Sequence, residues 1–211
     1  MEGRVKELLM VAFVVCSATP VLTQESQAQS SNLKQYYSGK FGFYQPGDGL
    51  NNGLVLGVDG ITEFLHYHFF IGGAIDLYPK QTFDFFTGPS KPRDVVQQSI
   101  ILVPLHVNAG YQFFDIPNAD SRGYIGAGFG YYFYFYNVEY RTGGGILGGF
   151  TNTTESKNGG ALFATAFVRA LIGKVFVEPR LYFAQKTADS VGGYSYVVNP
   201  SGFAITIGFQ Y

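Results

Sequence analysis

The sequence predicts an all-β fold: an eight-stranded, antiparallel, up-and-down transmembrane β-barrel preceded by a cleaved signal peptide. Three observations carry that prediction. From Tyr36 onward, apolar residues alternate with small or polar ones, the two-residue period of a strand. Charged residues are only 14% and aromatics 18% of the chain, whereas soluble domains carry about 25% charge, so something other than water faces much of the surface. An export signal opens the chain. At 211 residues one domain is expected, since all-β barrels commonly reach this length as a single unit.

The first element is the signal. Arg4 and Lys6 precede an apolar stretch from Leu8 to Leu22, and Ser26-Gln27-Ala28 supplies the small-x-small pattern that a signal peptidase accepts. Residues 1–28 are read as the signal peptide and 29–211 as the barrel domain, with a short lead over 29–35. Ser17, Thr19 and Pro20 interrupt the apolar stretch, which falls short of the ~20 residues of a helical span. Cys16, the only cysteine, lies inside this segment, so no disulfide forms within the chain.

Eight strands follow, at about 37–46, 52–61, 63–78, 97–114, 122–137, 159–172, 175–187 and 201–211. The last shows the pattern best: Phe203, Ile205, Ile207, Phe209 and Tyr211 share one face, and Ala204, Thr206, Gly208 and Gln210 the other. In 122–137, Ile125, Ala127, Phe129, Tyr131, Phe133 and Phe135 oppose Gly126, Gly128, Gly130, Tyr132 and Tyr134. Small and polar residues fit a narrow lumen, and the continuous apolar face suits lipid. A soluble barrel, the competing reading, would present that aromatic face to water. Short turns are expected near Gly60–Thr62, Asp115–Ser121 and Gly173-Lys174. Longer connections are expected at Pro79–Val96, Asn137–Asn158 and Ala188–Pro200, with a modest one near Pro46–Asn51. This alternation puts both termini at the short-turn end.

Gly173-Lys174 also fixes a register. As a two-residue type II′ turn it sets Ile172 opposite Val175 and therefore Arg169 opposite Glu178, with Arg180 on the same face. Charges avoid lipid, so that face is the lumen. Pro104 and Pro179 fall within strands, where each removes a ladder hydrogen bond, and bulges are expected there.

Three segments carry a family resemblance: Val103-Pro104-Leu105, Gly123 through Tyr132, and Val177-Glu178-Pro179-Arg180-Leu181-Tyr182. The chain resembles, over roughly Tyr36 to Tyr211, the bacterial outer membrane protein β-barrel domain family, which is similar to the small eight-stranded barrels of the OmpX, OmpW and OmpA type. The ending Thr206-Ile207-Gly208-Phe209-Gln210-Tyr211 is similar to the assembly signal of such proteins. The resemblance implies a bacterial outer-membrane location, outer-membrane lipid and the barrel assembly machinery as partners, and no shared catalytic residues.

The remaining motifs carry little chemistry. A net charge of −1 gives no footprint for nucleic acid. Gly143, Gly145 and Gly148 match G-x-G-x-x-G without a following helix, so they are not read as a nucleotide site. Asn152-Thr153-Thr154 is read as an accidental match to a glycosylation acceptor in a surface loop. His66, His68 and His106 all project onto the expected lumen face; ordinary hydrogen bonding is preferred there to a metal site completed by Asp76 or Glu178. No catalytic, cofactor or metal residue is assigned. A filled eight-stranded lumen excludes a wide pore, and a non-enzymatic role in envelope integrity, adhesion or small-ligand contact is expected. A lipid-modifying enzyme is the alternative, opposed by the lack of a serine beside His66 and His68.

Overall fold

The computed structural model describes residues 33–47, 50–81, 95–142, 151–191 and 194–211. The expected signal peptide with Cys16, most of Pro79–Val96, and Gly143, Gly145 and Gly148 lie outside them. Eight strands form a closed antiparallel barrel: β1 (Leu33–Pro46), β2 (Gly53–Phe64), β3 (Phe69–Gln81), β4 (Val95–Ile116), β5 (Ser121–Thr142), β6 (Thr151–Ile172), β7 (Val175–Ala184) and β10 (Gly202–Gln210). A separate hairpin of β8 (Thr187–Val191) and β9 (Tyr194–Val198) stands between β7 and β10. Closure leaves no sheet edge unpaired where lipid would surround it.

The faces divide as alternation requires. Phe203, Ile205, Ile207 and Phe209 point out of the barrel, while Ala204, Thr206 and Gln210 are buried in it. On β5 the outward run Ile125–Phe135 spans eleven residues, and a tilted strand needs ~9–11 to cross a bilayer core. The run then turns polar at Asn137 and Glu139. Phe129 is 68% exposed and Leu162 67%, an apolar girdle that water would not tolerate and that hydrocarbon favours. The soluble-barrel reading fails on this surface.

Several expectations need correction. The β2–β3 turn is not at Gly60–Thr62: β2 runs on to Phe64, Gly60 pairs with Gly73 inside the sheet, and residues 65–68 make the turn. Tyr67 N–H donates to the Phe64 carbonyl at 2.9 Å, and His68 takes a positive φ of 52°. The reason is burial. Ile61 packs in the lumen and Glu63, also buried there, accepts from the Tyr124 hydroxyl, so the strand runs three residues past its expected end at 61. β1 begins at Leu33, within the expected lead, and β7 stops at Ala184 rather than residue 187.

Asn137–Asn158 is not a loop for most of its length. β4, β5 and β6 each have 22 residues, roughly 70 Å at ~3.3 Å per residue, about twice what the membrane requires. Their outward residues turn polar beyond the girdle, but the ladder continues to Thr142↔Thr151. Polarity was the wrong signal there, because strands outside lipid do not need an apolar face.

Pro104 and Pro179 do not create bulges. Each strand keeps its register, but ladder pairs drop out beside the proline, between Ile75↔Leu105 and Tyr78↔Leu102 and between Phe167↔Arg180 and Ala170↔Val177. The missing N–H costs a bond without inserting a residue. The register shifts in β4–β5 occur elsewhere, at Val95/Gln97 and Gln112/Phe114.

The β6–β7 hairpin follows expectation, with Ile172 opposite Val175. Gly173 has φ of 61° and Lys174 does not have a positive φ, the division that type II′ requires. A Cβ at Gly173 would meet nothing within 4 Å, so the only penalty is backbone strain. Gly173→Ala is therefore expected to cost about 1–2 kcal/mol in urea titration of vesicle-inserted protein. A larger loss would mean that the turn packs against something.

Candidate functional site

The lumen is filled in three layers. Toward the short-turn end lie Ile61, Phe70, Tyr124, Phe167, Leu171 and Phe176, and toward the loop end a larger cluster that includes Tyr44, Tyr78, Tyr132, Phe163 and Tyr182. Between them is a layer of charge. Along β3 the order is Phe70, Asp76, Tyr78; along β7 it is Phe176, Glu178, Arg180, Tyr182.

Three cations face three carboxylates in this layer. Arg169 Nη2 lies 2.6 Å from both Asp59 Oδ2 and Glu178 Oε2. Arg180 Nε donates to Glu178 Oε1 at 3.0 Å. Lys40 Nζ sits among all three anions, 3.0 Å from Asp76 Oδ1, 3.5 Å from Glu178 Oε1 and 3.8 Å from Asp59 Oδ2. Glu178 is completely buried. Removing six charges from water is costly, and the layer is tolerable only because each charge has opposite neighbours and further hydrogen bonds. Ser38 Oγ donates to Asp59 Oδ1 at 2.5 Å, and Arg180 Nη1 to Asn108 Oδ1 at 3.2 Å. The guanidinium groups also rest on aromatic faces, Arg169 4.1 Å above the Phe176 ring and Arg180 4.3 Å above that of Phe167.

Strand alternation places these residues, and small residues on facing strands make room for them. A Cβ at Gly57 would strike the Asp76 carboxylate and the Lys40 stem, and one at Gly128 would strike Asn108. The glycine-rich second face of the sequence is thus the space that the charged and polar side chains of the lumen occupy.

The three histidines do not come together. His106 is buried in the lumen as expected, with Nε2 3.1 Å from Asp76 Oδ2 and Nδ1 2.9 Å from Asn108 Oδ1. His66 and His68 instead lie exposed in the 65–68 turn, beside Tyr67 and Tyr111 respectively. The i, i+2 chelate had assumed a strand where the chain turns. Among the described residues, no group of three or more His, Cys, Asp or Glu is placed to hold a metal.

Arg169, Glu178 and Arg180 meet as the hairpin register required. Lys40 and Asp59 were not singled out from sequence. Their signal was available: each alternates with outward residues, Phe41 and Val58, so in a membrane barrel each must face inward.

The fold has known counterparts. It is similar to Ail, the attachment invasion locus protein of Yersinia pestis, with 8% identity, 86% of this chain and 100% of that chain covered, and a TM-score of 0.51. It is also similar to a major outer membrane protein from Thermus thermophilus, with 12% identity, 84% and 100% covered, and a TM-score of 0.50. No family model and no curated protein matches the chain. The fold is that of the small bacterial outer-membrane β-barrels, and the apolar girdle makes this chain a membrane-spanning one.

Proposed function

We propose that this chain is a plugged, non-enzymatic outer-membrane anchor whose work is done by the strands and loops it holds outside the membrane. The observation that carries the reading is the charge layer. Lys40, Arg169 and Arg180 with Asp59, Asp76 and Glu178 fill the barrel cross-section between two aromatic layers, and every one of them is at most 6% exposed. An eight-stranded barrel has an interior just wide enough for side chains, so such a layer leaves no aqueous path. The barrel supports a long projection, because β4, β5 and β6 continue past the girdle and β8–β9 forms a hairpin of its own. That projection is the surface offered for contact, with the termini toward the periplasm. Acyl transfer or hydrolysis is disfavoured because His106, the one histidine with a carboxylate partner among the described residues, is sealed inside the lumen.

Planar-bilayer recording tests the plug. The reconstituted protein is expected to show no large steady conductance, and a stable open level would overturn the reading. A lipid A and phospholipid profile of cells with and without the protein is expected to be unchanged, whereas an altered acyl pattern would favour an enzyme.

A further inference from the structure

Above the loop-end aromatic layer the sheet changes partners. The last ladder pairs on this side of the barrel are Phe163↔Ala184 and those of Gly202 with Tyr182 and Pro46. Beyond them, among the described residues, β8 and β9 pair only with each other. A backbone bond joins each leg of this hairpin to its neighbour: Gln185 N–H donates to the Leu162 carbonyl at 3.3 Å, and Gly47 N–H to that of Ser201.

Hydroxyl groups hold the legs down. Tyr132, on β5, donates to the Gln185 carbonyl at 2.8 Å and lies 3.1 Å from Thr187 Oγ1. Tyr44, on β1, donates to the Pro200 carbonyl. Ser201 Oγ ties the second leg to the end of β7, accepting from Ala184 N–H at 2.9 Å and donating to the Ala184 carbonyl at 3.0 Å. The foot of the hairpin is seated as well as tied. Val198 is completely buried in the cluster that includes Tyr44 and Tyr132, and Asn199 and Pro200 are buried after it. The space left beneath, walled by Tyr44, Tyr132, Ala184 and Pro200 among others, is only about 20 Å³, room for about one water.

We propose that β8–β9 is a hinged lid, closed in this structure, that opens about its legs at residues 185–186 and 199–201 while the barrel stays intact. The two tyrosine rings belong to barrel strands, whereas their acceptors are backbone carbonyls of the legs, so opening leaves the latches behind and breaks no ladder pair of the barrel. Each hydroxyl bond given up is remade with water at small net cost, and the burial of Val198 supplies the rest of the closing force. Opening the barrel would break continuous ladders on both sides of a strand. The lid and the barrel therefore open as separate units. The lid decides when the rings of Tyr44, Tyr132 and Tyr182 meet the exterior.

Hydrogen–deuterium exchange of the full barrel in lipid nanodiscs, read by mass spectrometry, tests the lid. Amides of Thr187–Val191 and Tyr194–Val198 are expected to exchange faster than those of β7 and β10, yet slower than an unstructured chain. Tyr44→Phe and Tyr132→Phe keep the rings and remove the latches; each should speed hairpin exchange about fivefold, and both together about 25-fold, with β7 and β10 unchanged. Tyr78→Phe is the control: that hydroxyl donates to the Asn51 carbonyl, in the β1–β2 connection, and its loss should leave the hairpin unaffected. Folding is judged by heat-modifiable electrophoretic mobility, and Ser201→Ala, expected to act like one tyrosine variant, replaces the double variant if that does not fold. Hairpin exchange that is unchanged in both tyrosine variants, rises in step with β7 and β10, or responds equally to Tyr78→Phe would overturn the proposal. So would wild-type hairpin exchange as fast as that of an unstructured chain.

Discussion

Glu178→Ala is expected to be the most damaging single change in the lumen, costing about 3–5 kcal/mol of stability. The side chain is completely buried and accepts from Arg169 through Nε and Nη2 and from Arg180 through Nε, with Lys40 at 3.5 Å. Truncation leaves three buried cations facing only Asp59 and Asp76. Glu178→Gln keeps the volume but removes the charge, so it should recover little of the loss. Pairing the truncation with Arg169→Met is the control, because removing a cation together with the anion restores the balance. The double variant should be clearly less damaged than the sum of the single ones, measured by urea titration of protein refolded into vesicles. Additive losses would mean that the network is not a charge-balanced unit.

Ile205→Arg is the corresponding change on the outside. Ile205 pairs with Phe43 and Pro179, points away from the lumen and lies well within the girdle. An arginine there faces hydrocarbon at a cost of ~2–4 kcal/mol near the midplane. Phe209→Arg, four residues nearer the chain terminus, should cost less, since that side chain can reach the interface. Thr206 makes a useful neighbour: its hydroxyl donates to the Glu178 carbonyl at 3.3 Å inside the lumen, and Thr206→Ser should be mild. If arginine at position 205 were harmless, the outward face would not be meeting lipid.

The parts of this structure legible in the sequence are those fixed by alternation within the membrane. The outward and inward sets of β5 and β10 could be read directly, because a one-residue slip would exchange lipid and lumen faces. The Arg169–Glu178 contact followed from the same rule plus one turn, since Gly173 at the first position sets the hairpin register. Where lipid no longer constrains the chain, the reading failed. The upper parts of β5 and β6 look like loop because Asn137, Glu139, Ser156 and Asn158 are polar, yet they pair as strand. The β2–β3 turn was misplaced because Gly60 looked like a turn residue, whereas it sits in the sheet opposite Gly73. That single error carried His66 and His68 into the lumen. The charge layer was only half visible: pairwise register finds neighbours on one hairpin, but Lys40 meets Glu178 and Asp76, and Asp59 meets Arg169, across the barrel, which only closure determines.

The inside and outside of this barrel can be told apart directly because the chain contains no tryptophan. One tryptophan at Phe129, 68% exposed on the girdle, and another, in a separate variant, at Phe163, buried in the loop-end aromatic layer of the lumen, each report one environment. In vesicles whose acyl chains carry bromine, fluorescence of Phe129→Trp should be strongly quenched and that of Phe163→Trp nearly untouched. Equal quenching at the two sites, or quenching confined to position 163, would contradict a closed barrel with lipid outside and a sealed lumen within.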